Sequence, residues 1–254
     1  MTELRKPTGD NKTMTEQQRR ARRLGLWGLL RHWSEVPQAE QLVQWEEQAR
    51  KDRSLERRIG SSRIGRFKSV ADFDWTWADV DRNQVEDLLT LDFVREPANV
   101  FFVGPNGVGK TMFAKNIAHN ALMAGYSVRF CTASDMVNDL AAQETTSARH
   151  RRLKRYAKPD LLVIDELGYL SYDNRFADLL FEVVQSRYQK NATLLTTNRP
   201  FSEWGELFPN ATCVVTLVDR LTHCAEIIQI RGDSYRHKEA KERAERKAAE
   251  RKQR

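Results

Sequence analysis

The chain has 254 residues, 40% of them hydrophobic, enough for one α/β domain with a real core plus an appendage. Its net charge is +7, but residues 237–254 alone hold eight basic against four acidic side chains, so composition admits a polyanionic partner without demanding one. No apolar run reaches about 18 residues and no signal-peptide core opens the chain, so a cytoplasmic protein without membrane contact is expected. Cys131, Cys213 and Cys224 form no C-x-x-C pair and read as free thiols in a reducing compartment.

Residues 1–20 are polar and aperiodic and are expected to be a disordered lead-in. Residues 21–67 read as a small helical region. Leu26, Leu29, Leu30 and Trp33, then Leu42, Val43 and Trp45, recur at helical spacing in a charged background, followed from 59 by a glycine-, serine- and aromatic-bearing connector. The α/β core is bounded at 68–236. "NVFFVG" is a dense apolar run ending at glycine, a strand buried on both faces. "KTMFAKNIAHNALMAG" places Phe113, Ile117, Ala121 and Leu122 on one helical face and closes at Gly125. "YSVRFCTA", "DLLVIDELG", "NATLLTTN" and "AEIIQIRG" read as further strands, with "SDMVNDLAAQ", opened by Ser134, and "RFADLLFEVVQSRYQ" as helices between them. This alternation predicts an α/β fold with a parallel sheet and right-handed crossovers. Residues 237–254 form a charged tail whose Glu239/Arg243, Glu242/Arg246 and Glu250/Arg254 spacings suit i,i+4 pairs on a solvated helix.

"GPNGVGKT" satisfies G-x-x-x-x-G-K-[ST] between the first strand and a helix. Glycines let successive amides turn inward and make an anion nest at a helix start, where the dipole favours phosphate. The nucleotide-binding set is Gly104, Pro105, Asn106, Gly107, Val108, Gly109, Lys110, Thr111 and Met112, with Asp165. Lys110 is expected to reach the β- and γ-phosphates of ATP, and Thr111 with Asp165 to hold Mg²⁺. Asp165 and Glu166 end an apolar strand, where ligands of open α/β sheets bind, and Glu166 suits the polarisation of an attacking water. Asn198 ends the next strand, either to bond the lytic water or γ-phosphate or simply to shape the turn before Pro200. Arg220 follows "VVTLV", taken as the sheet's last-but-one apolar run. It either neutralises transition-state charge at a neighbouring subunit or pairs with Asp219 at the surface.

"DELGYL", "FSEWGE", "DRLTH" and "RGDSYR", in this order after the glycine loop, make the chain from about Lys68 to Arg236 resemble the IstB-like ATPases. These are helper proteins of bacterial insertion sequences within the AAA+ family, in the branch of the DnaC helicase loaders and the initiator DnaA. The resemblance implies a Walker A loop at Gly104–Thr111, Walker B acids at Asp165 and Glu166, sensor 1 at Asn198 and a trans-acting arginine finger at Arg220. It also implies a loosely similar helical N-terminal region and no C-terminal lid domain, with Arg236 the candidate in place of a sensor-2 arginine. Helpers of this kind assemble on DNA as ATP-bound homo-oligomers and deliver a target site to their transposase. In this reading ATP is substrate and switch at once.

"ARHRRLKRYAK" supplies a candidate contact to duplex DNA. Arg149, Arg151, Arg152, Lys154, Arg155 and Lys158 include no acid, and Arg151, Lys154, Arg155 and Lys158 share a helical face with Leu153 and Tyr156 turned inward. No base-reading motif is visible, which suits backbone contact with little sequence preference, and the alternative is a solvated helix face. The Arg19–Arg23 cluster is a second candidate. Two rival functions stay open: a DnaC-like loader acting on a replicative helicase, and a DNA-binding scaffold with a degenerate nucleotide site, against which Lys110, Asp165 and Glu166 speak.

Overall fold

The computed structural model describes residues 14–168, 174–208 and 214–252. The expectations for residues 1–13, for Tyr169 and Leu170 of "DELGYL", for Pro209, Asn210 and Cys213, and for the pairs made by Glu242 and Glu250 lie outside the described residues or side chains. The chain divides into two units, one up to Arg57 and one from Arg58 onward.

In the first unit, helix α1 (Glu16–Arg23) starts at a reciprocal cap. The Thr15 hydroxyl accepts from the Gln18 amide at 3.2 Å, and the Gln18 side chain accepts from the Thr15 amide at 2.9 Å. Disorder is the expectation up to residue 20, but this cap makes residues 16–20 helical. Helices α2 (Trp27–Arg31) and α3 (Ala39–Ser62) follow. Arg20 grips Glu47 through two guanidinium nitrogens, and Ala21 and Val43 are buried, while Leu42 and Trp45 of the expected apolar stripe are exposed.

The second unit has two helices where sequence suggests only a lead into the core. These are α4 (Arg82–Leu88), capped by Asp81, whose carboxylate accepts from the Asn83 amide at 2.9 Å, and α5 (Asp92–Arg95). Five parallel strands then form one sheet: β1 (Asn99–Val103), β2 (Val128–Thr132), β3 (Leu161–Leu167), β4 (Ala192–Thr197) and β5 (Ala225–Gln229), in the order β2-β3-β4-β1-β5. Successive side chains of β1 point to opposite faces. Phe102 stacks on Phe113 of α6 (Lys110–Met123), at 5.7 Å between centroids, whereas Phe101 joins the core on the other face. That second core is built by α7 (Ala133–Ala141), α8 (Thr146–Ala157), α9 (Asn174–Arg187), α10 (Trp204–Leu207) and α11 (Val214–Thr222). Phe113, Ile117, Ala121 and Leu122 are all fully buried, as their spacing predicts.

Two local expectations are corrected. The cap of α7 is Thr132, whose hydroxyl accepts from the Asp135 amide at 3.0 Å, and Ser134 sits inside the first turn. "VVTLV" is not a strand but the start of α11. Val214, Leu217 and Leu221 bury one stripe at helical spacing, and that period overrides the strand preference of the valines. The tail is helical as α12 (Tyr235–Lys252), yet Glu239 reaches Lys68 at 2.6 Å, a partner outside its own helix.

One buried cation joins three elements. The Arg187 guanidinium, 1% exposed, donates to the carbonyls of Tyr156 (2.7 Å), Ala157 (3.1 Å), Pro159 (2.8 Å) and Ala192, and to the Thr193 hydroxyl (3.1 Å). It thereby closes the end of α8 onto the starts of β3 and β4. Replacing it with methionine keeps the bulk and strands those carbonyls, each costing roughly 1–3 kcal/mol when left unpaired. We expect Arg187→Met to lose about 3 kcal/mol or more in urea unfolding, and a loss under about 1 kcal/mol would deny the cation this role.

Candidate nucleotide site

Strand β1 delivers the glycine loop to the carboxyl edge of the sheet, and α6 leaves from it. Gly107 and Gly109 hold φ of +85° and +104°, a region that disfavours any side chain. A Cβ on Gly107 would also strike the Ser234 side chain, and the Gly107 carbonyl accepts from the Tyr235 amide at 3.1 Å. The start of α12 is therefore packed directly on the loop. Lys110, 6% exposed, donates from Nζ to the carbonyls of Gly104 and Pro105, both at 2.7 Å. Burial pushes its ammonium down to about 8, with Arg236 adding to the fall and Asp165 and Glu166 opposing it.

The two acids end β3 in different settings. Asp165, 4% exposed, accepts on Oδ1 from the hydroxyls of Thr111 at 3.0 Å and Thr196 at 2.5 Å. Glu166 is exposed, has φ of +62°, and lines the cavity that opens over the loop. That cavity holds about 610 Å³. Its polar end is the loop with Lys110, Thr111 and Met112, and its other wall is Phe67, Phe73, Tyr235 and Arg236. Aromatic side chains facing a phosphate cradle suit a nucleotide, whose base is flat and uncharged. Thr196 and this aromatic wall are missed by motif reading. For Phe67 and Phe73 the available signal is the run of aromatics in 59–81. Asn116 of α6 pins the wall, accepting from the Val70 amide at 3.0 Å and donating to the Lys68 carbonyl at 2.9 Å.

Asn198 follows β4 directly, and its buried Oδ1 has no hydrogen-bond partner, although its side chain does not line the cavity. Arg220 lies elsewhere. The side-chain amide of Asn99, at the amino end of β1, donates to the carbonyls of Arg220 (3.4 Å) and Leu221 (3.0 Å). The Arg220 guanidinium rests over Phe181 at 4.9 Å and Tyr188 at 5.8 Å, with buried Nη1 lacking a hydrogen-bond partner. An ion pair between Arg220 and Asp219 is not among those of the described residues.

On α8, Arg151, Lys154, Arg155 and Lys158 are exposed, Tyr156 is buried and Leu153 packs on the core. The segment is less free of acids than its sequence suggests, because Arg152 pairs with Asp139 of α7 at 3.5 Å. Arg149 is half-buried. In the Arg19–Arg23 cluster, Arg19 and Arg23 lie 3.9 and 3.7 Å from Glu16 and Arg20 is taken by Glu47, which leaves less unbalanced charge than on α8. No helix among the described residues is long and apolar enough to cross a membrane.

The central parallel sheet, the glycine loop between β1 and α6 and the acids ending β3 define a P-loop nucleotide-binding protein. Residues 27–244 match the IstB-like ATP binding proteins, and the chain belongs to that family. It is 37% identical over 188 residues to the ATP-binding protein of insertion sequence IS5376 of Geobacillus stearothermophilus, covering 74% of this chain and 75% of that protein. It is 34% identical over 198 residues to the ATP-binding protein of insertion sequence IS21 of Pseudomonas aeruginosa, covering 78% and 75%. Two solved structures share the fold. The crystal structure of DnaI has a TM-score of 0.54 at 20% identity, covering 67% of this chain and 91% of that one. AMPPCP-bound DnaA from Aquifex aeolicus has a TM-score of 0.50 at 22% identity, covering 65% and 50%.

A bound triphosphate favours the protonated form of Lys110, and in the free protein that proton is lost as pH rises through about 8. Nucleotide affinity is therefore expected to be steady just below that pH and to fall above it, by at most about tenfold per pH unit. Titration of a fluorescent nucleotide between about pH 7.5 and 9.5 reads this window, with Lys110→Ala as the variant that binds weakly at every pH. Affinity independent of pH in the wild-type protein would contradict the assignment.

Proposed function

We propose that this protein hydrolyses ATP and that its ATP-bound form assembles on duplex DNA and presents a target site to a transposase. The observation that carries the reading is the convergence of Lys110, Thr111 and Glu166 on one cavity, with buried Asp165 bonded to Thr111 beside it, in a chain whose relatives are ATP-binding proteins of insertion sequences. Lys110 and the loop amides balance the triphosphate, and the walls of the cavity orient the nucleotide. Glu166 accepts the proton of the attacking water, and Asn198 offers an amide to that water or to the γ-phosphate. The hard oxygens of Thr111 and Asp165, 3.0 Å apart beside an anion cradle, fit Mg²⁺, which would supply charge neutralisation at the phosphates. The protein works in the cytoplasm, with bound ATP closing the contact between subunits and hydrolysis releasing it. Membership of the IstB-like family favours a transposase over a replicative helicase as the partner, and an adjacent transposase reading frame is the check on that choice.

Arg220 acts in trans in this reading. Its backbone lies beside the amino end of β1, and the glycine loop lies at the carboxyl end, about 13 Å away along a five-residue strand. A guanidinium on its own subunit's far edge reaches a γ-phosphate only across a subunit boundary. Glu166→Gln is expected to keep ATP affinity and lose turnover. Arg220→Ala should bind ATP almost normally and hydrolyse it roughly 10³–10⁵-fold more slowly. Mixing Arg220→Ala with Lys110→Ala should restore part of the activity, because a mixed interface pairs an intact loop with an intact finger. Full hydrolysis by Arg220→Ala alone, or no rescue despite proven co-assembly, removes the role in trans.

For DNA, the exposed face of α8 is the proposed contact, with Arg151, Lys154, Arg155 and Lys158 on phosphates and Arg149 and Arg152 at its margin. Changing Arg151, Lys154 and Arg155 to alanine should weaken binding to all duplexes alike and flatten the log–log salt dependence by about 0.9 for each phosphate no longer neutralised. An unchanged slope would move the DNA site to another surface.

A further inference from the structure

We propose that Thr196 is a positioning residue for hydrolysis, one hydroxyl that sets both acids at the end of β3. The proposal rests on the reading that Asp165 and Glu166 act on ATP. Strands β3 and β4 pair regularly up to Ile164 opposite Leu195 and resume with Leu167 opposite Thr197. Asp165 and Glu166 therefore share the place opposite the single residue Thr196, which makes them the two residues of a bulge. A bulge breaks the ladder, so its extra backbone amide needs an acceptor from elsewhere. The Glu166 amide finds it in the Thr196 hydroxyl oxygen at 3.0 Å.

That same hydroxyl has one proton to give, and it goes to Asp165 Oδ1 at 2.5 Å. Thr111 donates to the same carboxylate oxygen at 3.0 Å, so the Asp165 carboxylate is fixed from the glycine loop on one side and from β4 on the other. Glu166 meanwhile is held at φ of +62°, a left-handed conformation that a glutamate leaves readily unless its backbone is tied. The tie is the bond to Thr196. It points the exposed Glu166 side chain into the cavity, where Thr196 itself, 1% exposed, forms part of the floor. The neighbouring Thr197 hydroxyl serves a different purpose, accepting from the Arg199 amide at 3.1 Å within the turn. Of the two threonines in "TTN", only Thr196 bonds to the acids among the described residues.

Valine matches threonine in shape and lacks the hydroxyl, so Thr196→Val deletes both bonds, and Thr196→Ser restores them. Turnover, equilibrium nucleotide binding and Mg²⁺ dependence are to be measured on the full chain. Loss of such a supporting partner typically costs about 10–100-fold, so kcat should fall by that factor in Thr196→Val, with more Mg²⁺ needed for half-maximal turnover. Nucleotide affinity should stay within about threefold in Thr196→Val, and kcat of Thr196→Ser within about threefold of wild type. If the valine protein does not fold, Thr196→Ala compared with Thr196→Ser makes the same test. A lower melting temperature with unchanged kcat in Thr196→Val overturns the proposal and leaves Thr196 a packing residue. Wild-type turnover in Thr196→Val while Glu166→Gln is inactive also overturns it and leaves the hydrolytic reading standing. Wild-type turnover in Glu166→Gln sinks both.

Discussion

The ammonium of Lys110 is a charge held almost out of water, and the shape of the site follows from what keeps it there. Removing a cation from water costs several kcal/mol unless fixed dipoles replace the lost solvation. The carbonyls of Gly104 and Pro105 do this at 2.7 Å each, and for both to face the lysine the loop must curl back on itself. The curl explains why left-handed backbone at Gly107 and Gly109 is required. No direct carboxylate partner is present: burial lowers the ammonium to about 8, Asp165 and Glu166 oppose that fall through the field alone, and Arg236 adds to it. A polyanion entering the cavity completes that balance. The Asp165 carboxylate also meets Thr111, so the loop and the end of β3 answer one electrostatic demand from two directions.

Parallel strands give the domain two unlike edges. All carboxyl ends lie on one edge of the sheet, so the loop after β1, the acids of β3 and the polar end of β4 meet without any long loop to carry them. The opposite edge receives the chain as it returns. There α8 runs into β3 with its basic face exposed, α11 ends beside Asn99, and Arg187 ties the returning carbonyls together. The charges proposed to meet other molecules, on α8 and at Arg220, therefore stand apart from those of the glycine loop and the β3 acids. A sheet spans the two edges, and at the Arg187 end it is tied by hydrogen bonds from a guanidinium that is itself 1% exposed.

Much of this is legible in sequence where the physics is local. The glycine loop, the buried strands and the apolar face of α6 are set by residues within a few positions of each other, and so is the capping signal at Thr132, which sequence places two residues late. What escapes is long-range or periodic in two ways at once. "VVTLV" has the composition of a strand and the burial pattern of a helix, and only packing of Val214, Leu217 and Leu221 against the core decides between them. The bulge at Asp165–Glu166 exists only relative to β4, so the role of Thr196 is invisible until the register is known. Arg187 reads as one more helical cation, since its partners lie on two other segments. Arg152 draws attention as part of an uncompensated cluster because Asp139, its partner, sits on the preceding helix.

The walls of the cavity differ in what holds them, and the difference bears on how the site can move. The phosphate end is built on buried contacts: Lys110 inside its loop, and Asp165 between two hydroxyls. The opposite wall is held by Asn116 on α6 and by the ion pairs Lys68–Glu239 and Asp74–Lys238, which solvent reaches. Pairs of that kind contribute about 0–1 kcal/mol each, so parting the start of α12 from the connector costs far less than opening the loop. Yet α12 is not free of the loop, because the Tyr235 amide bonds the Gly107 carbonyl and Ser234 fills the space over Gly107. A displacement of the glycine loop by phosphate therefore acts on residues 234–239, a helix start that touches both the loop and the aromatic wall. A stiff anion cradle joined to a loosely tied wall gives binding energy a soft element to act on while Lys110 and Asp165 keep their places.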